Sequence, residues 1–220
     1  MSLRLAALSA LTLPLLCGAV AHAAPSLEIS LSEAGYKTQT VTSTDGVAVR
    51  APRQYGTFDI VSAVGTGTPF GTPMSLIDLS SVQIASSAGG TLTLALTETG
   101  LTSTTDGLAA SFLSAIGGTL GPSNTLTYMS YVDTTNTAFG QQQLLANVSF
   151  TDAVPFSAGS TNAADTGTGL FSETQIITLT AAPLTTTSFD ARMNQVPEPA
   201  SMALLGAGLL GLGFARRRRA

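Results

Sequence analysis

The stretch Thr91-Leu92-Thr93-Leu94-Ala95-Leu96-Thr97 alternates between large apolar and small side chains. Successive side chains of an extended strand point to opposite faces, so the leucines fall on one side and the threonines on the other. Leu27, Ile29 and Leu31 repeat the rhythm, and the runs Phe58 to Val64, Leu76 to Ile84, Leu126 to Val132, Leu144 to Phe150 and Glu173 to Leu179 extend it. Between them lie turn-forming clusters at Asp45-Gly46, Gly65 to Gly71, Ala88-Gly89-Gly90, Asp106-Gly107, Gly117 to Pro122 and Ala158 to Gly169. Asp-Gly and Gly-Gly supply the positive φ of tight hairpins. Short strands and frequent turns predict an all-β fold, an antiparallel β-sandwich. One short helix is expected over Gly107 to Ile116, where Leu108, Phe112 and Leu113 have helix-like spacing.

Both ends fall outside this pattern. Residues 1–23 read as a signal peptide: Arg4 is followed by an apolar stretch from Leu5 to Val20, and Ala21-His22-Ala23 offers the small side chains of a cleavage site for signal peptidase. The β domain is expected over 24–195. Residues 196–220 have three parts. Val196-Pro197-Glu198-Pro199 is stiff and extended because each proline fixes its own φ and restrains its neighbour. Ala200 to Ala215 is uncharged and mostly apolar, enough for a short transmembrane helix of about 24 Å. Arg216, Arg217, Arg218 and Arg219 form a basic tail that stays on the cytoplasmic side of an inner membrane.

The order and spacing of these three parts resemble the PEP-CTERM sorting signal of Gram-negative bacteria. The resemblance implies processing by an exosortase-type membrane enzyme near Pro197-Glu198-Pro199, and an association with exopolysaccharide and biofilm. Ser87 to Thr99 and Ile176 to Met193 are also similar to the β-rich ectodomains of such proteins, but no catalytic or binding residue is carried over.

Composition narrows the chemistry. The only Cys, Cys17, and the only His, His22, both precede the domain, and Trp is absent. Residues 24–195 therefore offer no disulfide, thiol or imidazole, the usual centres of nucleophilic and acid–base catalysis. Four basic and twelve acidic residues give this segment a net charge of −8, which opposes nucleic-acid binding. No two acids have a local spacing that argues for a catalytic pair, although distant ones could meet in space. Asp45, Asp106, Asp133, Asp152 and Asp165 lie in or near loops without the spacing of a calcium loop; turn capping is the expected role. Tyr36, Tyr55, Tyr128 and Tyr131 are the candidates for a glycan platform. Tyr128 and Tyr131 are an odd number apart and are expected on opposite faces of one strand. Asn147-Val148-Ser149 matches a glycosylation sequon within a predicted strand.

These readings predict an exported, non-catalytic cell-surface or extracellular-matrix protein with no cofactor and no metal. It would be anchored transiently in the inner membrane, processed by exosortase, and associated with exopolysaccharide. The alternatives are a secreted carbohydrate-active hydrolase using carboxylates and a calcium-dependent adhesin. Two facing acids in a cleft with raised pKa values would favour the hydrolase.

Overall fold

The computed structural model describes residues 25–43, 45–69, 74–102, 109–152 and 155–197. The expected signal peptide, the transmembrane helix and the arginine tail lie outside these residues. Among those described, no helix is long and apolar enough to cross a membrane.

Among the described residues thirteen strands follow in chain order: β1 (Ser26–Glu33), β2 (Gln39–Thr42), β3 (Ala48–Arg50), β4 (Gln54–Tyr55), β5 (Phe58–Thr66), β6 (Leu76–Ser86), β7 (Gly90–Thr102), β8 (Ala109–Thr119), β9 (Thr125–Asp133), β10 (Gln143–Thr151), β11 (Phe156–Asp165), β12 (Leu170–Ala181) and β13 (Thr185–Val196). They form two sheets, ordered β10-β9-β12-β7-β1-β2 and β11-β8-β13-β6-β5-β3, with β4 paired to β5. Every pairing among the described residues is antiparallel. The all-β antiparallel expectation is met.

Leu92, Leu94 and Leu96 are buried in the core between the sheets, as their alternation requires. Leu27, Ile29 and Leu31 of β1 join them, and Ile77, Leu79, Val82 and Ile84 of β6 close the core from the other sheet. Phe112 and Phe171 meet edge to face across it, with ring centroids 6.3 Å apart. The outer face of the first sheet carries a smaller apolar cluster of Ala95, Tyr131 and Ile176, against which Met129 and Phe139 pack. Phe139 belongs to the β9–β10 connection, and its N–H donates to Thr97 Oγ1, so even the threonine face of β7 is partly covered.

The helix expected over Gly107 to Ile116 is not formed in its described part; from Ala109 the chain is β8. A spacing of four is even and so fits a strand as well as a helix: Phe112 and Ile116 share the inner face with Ala110 and Ser114. Part of the Gly117 to Pro122 cluster is also strand, because β8 runs to Thr119. The Ala158 to Gly169 cluster is a larger correction. Its first eight residues belong to β11, an edge strand held by continuous pairing with β8 from Phe156↔Gly118 to Asp165↔Ala109. An edge strand with one solvent face needs few apolar side chains, so its small polar residues resembled a loop. The last strand, β13, is central in its sheet, between β8 and β6.

Candidate functional site

Two features in the described residues concentrate chemistry: a buried carboxyl pair and a tyrosine-walled groove. The pair arises from the strand alternation itself. Glu98 follows Leu92, Leu94 and Leu96 at the two-residue period and therefore points into the sandwich. Glu173 stands directly opposite it on β12, just past a register shift. Both are fully buried.

The β5–β6 connection of the facing sheet receives them. The Thr68 N–H lies 2.9 Å from Glu98 Oε2 and 3.0 Å from Oε1, and its hydroxyl donates to Oε2 at 2.8 Å. Ser75 Oγ donates to Glu173 Oε1. Among the described residues Glu173 Oε2 has no hydrogen-bond partner. Gln175, next on the same face of β12, donates to the Ile77 carbonyl at 2.9 Å. Burial pushes the Glu98 carboxyl up to about 7 against the opposing pull of the Thr68 donors. Burial also pushes Glu173 up to about 8, and the charge of Glu98 adds to the rise. An ionised oxygen without a donor is costly in an apolar interior, so the geometry also favours a protonated Glu173. Sequence reasoning missed this pair because its members are 75 positions apart. The signal was there: each occupies the core-facing register of its own strand.

The groove lies at the opposite chemical extreme, open and polar. The β1–β2 turn, with Gly35 at φ 87°, presents Tyr36, which is 49% exposed. Its ring is tilted 54° to that of buried Tyr55, with centroids 6.4 Å apart. The Tyr55 hydroxyl donates to the Lys37 carbonyl at 3.2 Å, fixing the turn. Opposite, β4 and β5 close a hairpin over Gly56-Thr57, where Gly56 takes a positive φ of 59°. Glu33 holds that hairpin: its carboxylate accepts the Thr57 N–H at 2.9 Å and the Thr57 hydroxyl at 2.6 Å. Gln54 Nε2 donates to Asp59 Oδ1 at 3.0 Å on the groove wall. The groove offers about 410 Å³, within the usual range for small-ligand sites.

A second hollow of about 790 Å³ lies on the outer face of the sheet containing β8, β11 and β13, lined by Ala115, Gly117 and Gly159 together with Asp78, Asp190 and Arg192. It is larger but has no aromatic side chain. Burial pushes the Asp78 carboxyl up, as does the neighbouring Asp190, while Arg192 opposes the rise.

The remaining candidates are dispersed. Tyr128 is buried in the main core and Tyr131 in the outer cluster, on opposite faces as expected. Burial raises the Tyr128 hydroxyl far above its ordinary value. Asn147 and Ser149 are exposed on β10. Asp45 caps its turn, accepting the Ser43 hydroxyl at 2.6 Å and the Val47 N–H at 2.9 Å; these bonds lower its pKa to about 2. Asp133 accepts the Thr135 N–H at 2.7 Å, and Asp165 the Gly167 N–H at 2.7 Å. Asp152 is exposed with a positive φ of 48°. Asp106 lies outside the described residues. Among the described residues no three or more Asp, Glu, His or Cys side chains are placed to hold a metal.

At the C-terminus, Val196 ends β13 opposite Ser111, and Pro197 is the last residue described. Glu198, Pro199 and Arg216 to Arg219 lie outside the described residues, as do Ala21 and Ala23. Residues 195–219, beginning in the last two positions of β13, match the family model of the PEP-CTERM protein-sorting motif. The chain carries a PEP-CTERM sorting motif. The motif thus starts where the sandwich ends, and the Gln195 N–H donates to the Ser75 carbonyl at 3.0 Å, beside the carboxyl pair.

No curated protein sequence matches the chain. Among solved structures, the CBM22-1 xylan-binding domain of Paenibacillus barcinonensis Xyn10C is 12% identical, covering 71% of this chain and 90% of that one at a TM-score of 0.34. TmCBM61, solved with β-1,4-galactotriose, is 7% identical, covering 59% and 86% at 0.29. The enzymatically active domain of Bacteriophage CBA120 tailspike protein 4 is 10% identical at 0.33; the match covers 66% of this chain but only 20% of that one. Likenesses this distant carry no argument about ligand or activity.

Proposed function

We propose that the protein is an exported, non-catalytic surface or matrix component, sorted through its C-terminal motif by an exosortase-type enzyme, with the β-sandwich as its extracellular module. The observation that carries this reading is the PEP-CTERM motif at residues 195–219, which begins in the last two residues of the final strand. The apolar segment 200–215 serves as a temporary inner-membrane anchor and the four arginines hold its far end inside. Val196 to Pro199 is the segment offered for processing. Exopolysaccharide is the polymer the released domain meets at the surface.

The hydrolase alternative required two facing acids in a cleft. Glu98 and Glu173 do face each other with raised pKa values, but both are fully buried and engaged by Thr68 and Ser75. That arrangement supports a structural role, joining the β5–β6 connection to the opposite sheet. The turn-capping bonds of Asp45, Asp133 and Asp165 weigh against the calcium-dependent alternative.

The test is the C-terminal mass of the surface form in a host that has the processing enzyme. A chain ending near Pro197-Glu198-Pro199 is expected. A chain ending at Ala220 would reduce the tail to a plain anchor.

A further inference from the structure

The basic residues of the domain are unevenly placed. Only four lie between residues 24 and 195, and three of them, Lys37, Arg50 and Arg53, fall within 17 consecutive positions. All three are exposed. The fold gathers them at one edge of the sandwich. Lys37 sits in the β1–β2 turn, Arg50 ends edge strand β3, and Arg53 immediately precedes β4. The edge strands β2 and β3 touch one another, and β3 also touches β1. This edge contains the groove walled by Tyr36, Lys37, Gln39, Gln54, Tyr55 and Asp59.

We propose that this groove binds an acidic polysaccharide, one built from uronate-type sugars, with Tyr36 as the stacking platform and Lys37 as the carboxylate partner. The half-exposed Tyr36 ring offers a flat apolar face to the C–H side of a sugar ring. The amides of Gln39 and Gln54 and the carboxylate of Asp59 match sugar hydroxyls, which both donate and accept hydrogen bonds. Lys37 supplies a cation at the groove, and Arg50 and Arg53 extend positive charge along the edge for further units of a repeating polyanion. Within 33–59 Lys37, Arg50 and Arg53 balance Glu33, Asp45 and Asp59, so this stretch is neutral while the rest of the domain carries the whole −8; it is the part of the surface where a polyanion meets cations without a surplus of carboxylates. The site is also built in advance. Glu33 fixes the Gly56-Thr57 turn and the Tyr55 hydroxyl fixes the Tyr36-Lys37 turn, so little ordering is left for binding.

This assignment rests on the reading of the chain as a surface protein that meets extracellular polymer. The test uses the full chain in detergent, titrated calorimetrically with tetragalacturonate, tetramannuronate and their carboxyl-reduced neutral analogues. The uronates are expected to bind, more weakly as salt rises, with the neutral analogues clearly weaker. Loss of the ring in Tyr36→Ala is expected to weaken binding about three- to tenfold. Lys37→Met should weaken it and flatten the salt dependence, while Lys37→Arg should retain both. Unchanged thermal unfolding of the variants would show that the fold is intact. Equal affinity for charged and neutral forms, indifference to Tyr36→Ala and Lys37→Met, or no saturable binding of either uronate at millimolar concentration would each overturn the assignment. None of these outcomes bears on the C-terminal mass of the surface form, so the sorting reading stands or falls separately.

Discussion

Raising the pH from about 5 to about 8.5 is expected to destabilise the sandwich through Glu98 and Glu173. A carboxyl whose pKa is higher in the folded than in the unfolded chain binds more protons in the native state. Its contribution to stability is therefore fullest below the unfolded value. It is lost as pH climbs from there through the folded value. Glu98 moves from 4.5 to about 7 and Glu173 from 4.5 to about 8, so the loss spans roughly pH 4.5 to 8. At about 1.4 kcal/mol per unit, ionising Glu98 inside the fold costs on the order of 3 kcal/mol, and Glu173 on the order of 5 kcal/mol. The two do not simply add, because the charge of Glu98 is one cause of the Glu173 shift. Even the smaller figure is a large share of the 5–15 kcal/mol that typically holds a domain together.

The assay is urea unfolding of the wild type and Glu173→Gln across that range. Glutamine keeps the shape of Glu173 and can still accept the Ser75 hydroxyl, but it cannot ionise. The variant should therefore lose much of the pH slope and exceed the wild type at about pH 8.5 by on the order of 2–4 kcal/mol. Asp152→Asn removes an exposed carboxylate and controls for relief of the domain's general negative charge; it should leave the slope in place. Wild-type stability that is flat or rises between these pH values would refute the reasoning. So would a Glu173→Gln slope equal to that of the wild type.

Three further substitutions test the frame around these features. Gly56→Ala should destabilise by about 1–3 kcal/mol in a urea titration, because Gly56 has φ 59° and an added Cβ would overlap the Glu33 carboxylate. Phe112→Ala should cost about 3–5 kcal/mol by the same measurement, since it empties a fully buried site against Phe171. Asn124→Ala should cost about 2–4 kcal/mol and speed hydrogen exchange at Ala182: Asn124 Oδ1 accepts the Ala182 N–H at 2.8 Å, its Nδ2 donates to Thr187 Oγ1 at 2.9 Å, and both bonds would be lost inside the protein.

What the sequence revealed depended on which residues face the core. Leu92 to Leu96 disclosed a strand because a half-buried strand needs one apolar side chain at every second position, and these positions line the main core. Strand β11 was hidden for the converse reason. Its position comes from backbone pairing with β8, while its side chains Ser157 to Asn162 mostly face solvent, so composition alone suggested a loop. Pairing partners are a property of the assembled sheet and leave little trace in the strand itself. The groove was half legible: Tyr36 and Tyr55 were candidates, but only the turns held by Glu33 and the Tyr55 hydroxyl bring them beside Lys37, Gln54 and Asp59. The carboxyl pair could have been anticipated further. Once Leu92, Leu94 and Leu96 are placed inside, Glu98 must point the same way unless the strand bulges. Once Ile177 and Leu179 are placed inside, Glu173 and Gln175 must follow. A period-two count therefore predicts buried acids on two strands. It cannot say that β7 and β12 are neighbours, and that adjacency is what turns two isolated buried acids into one coupled pair.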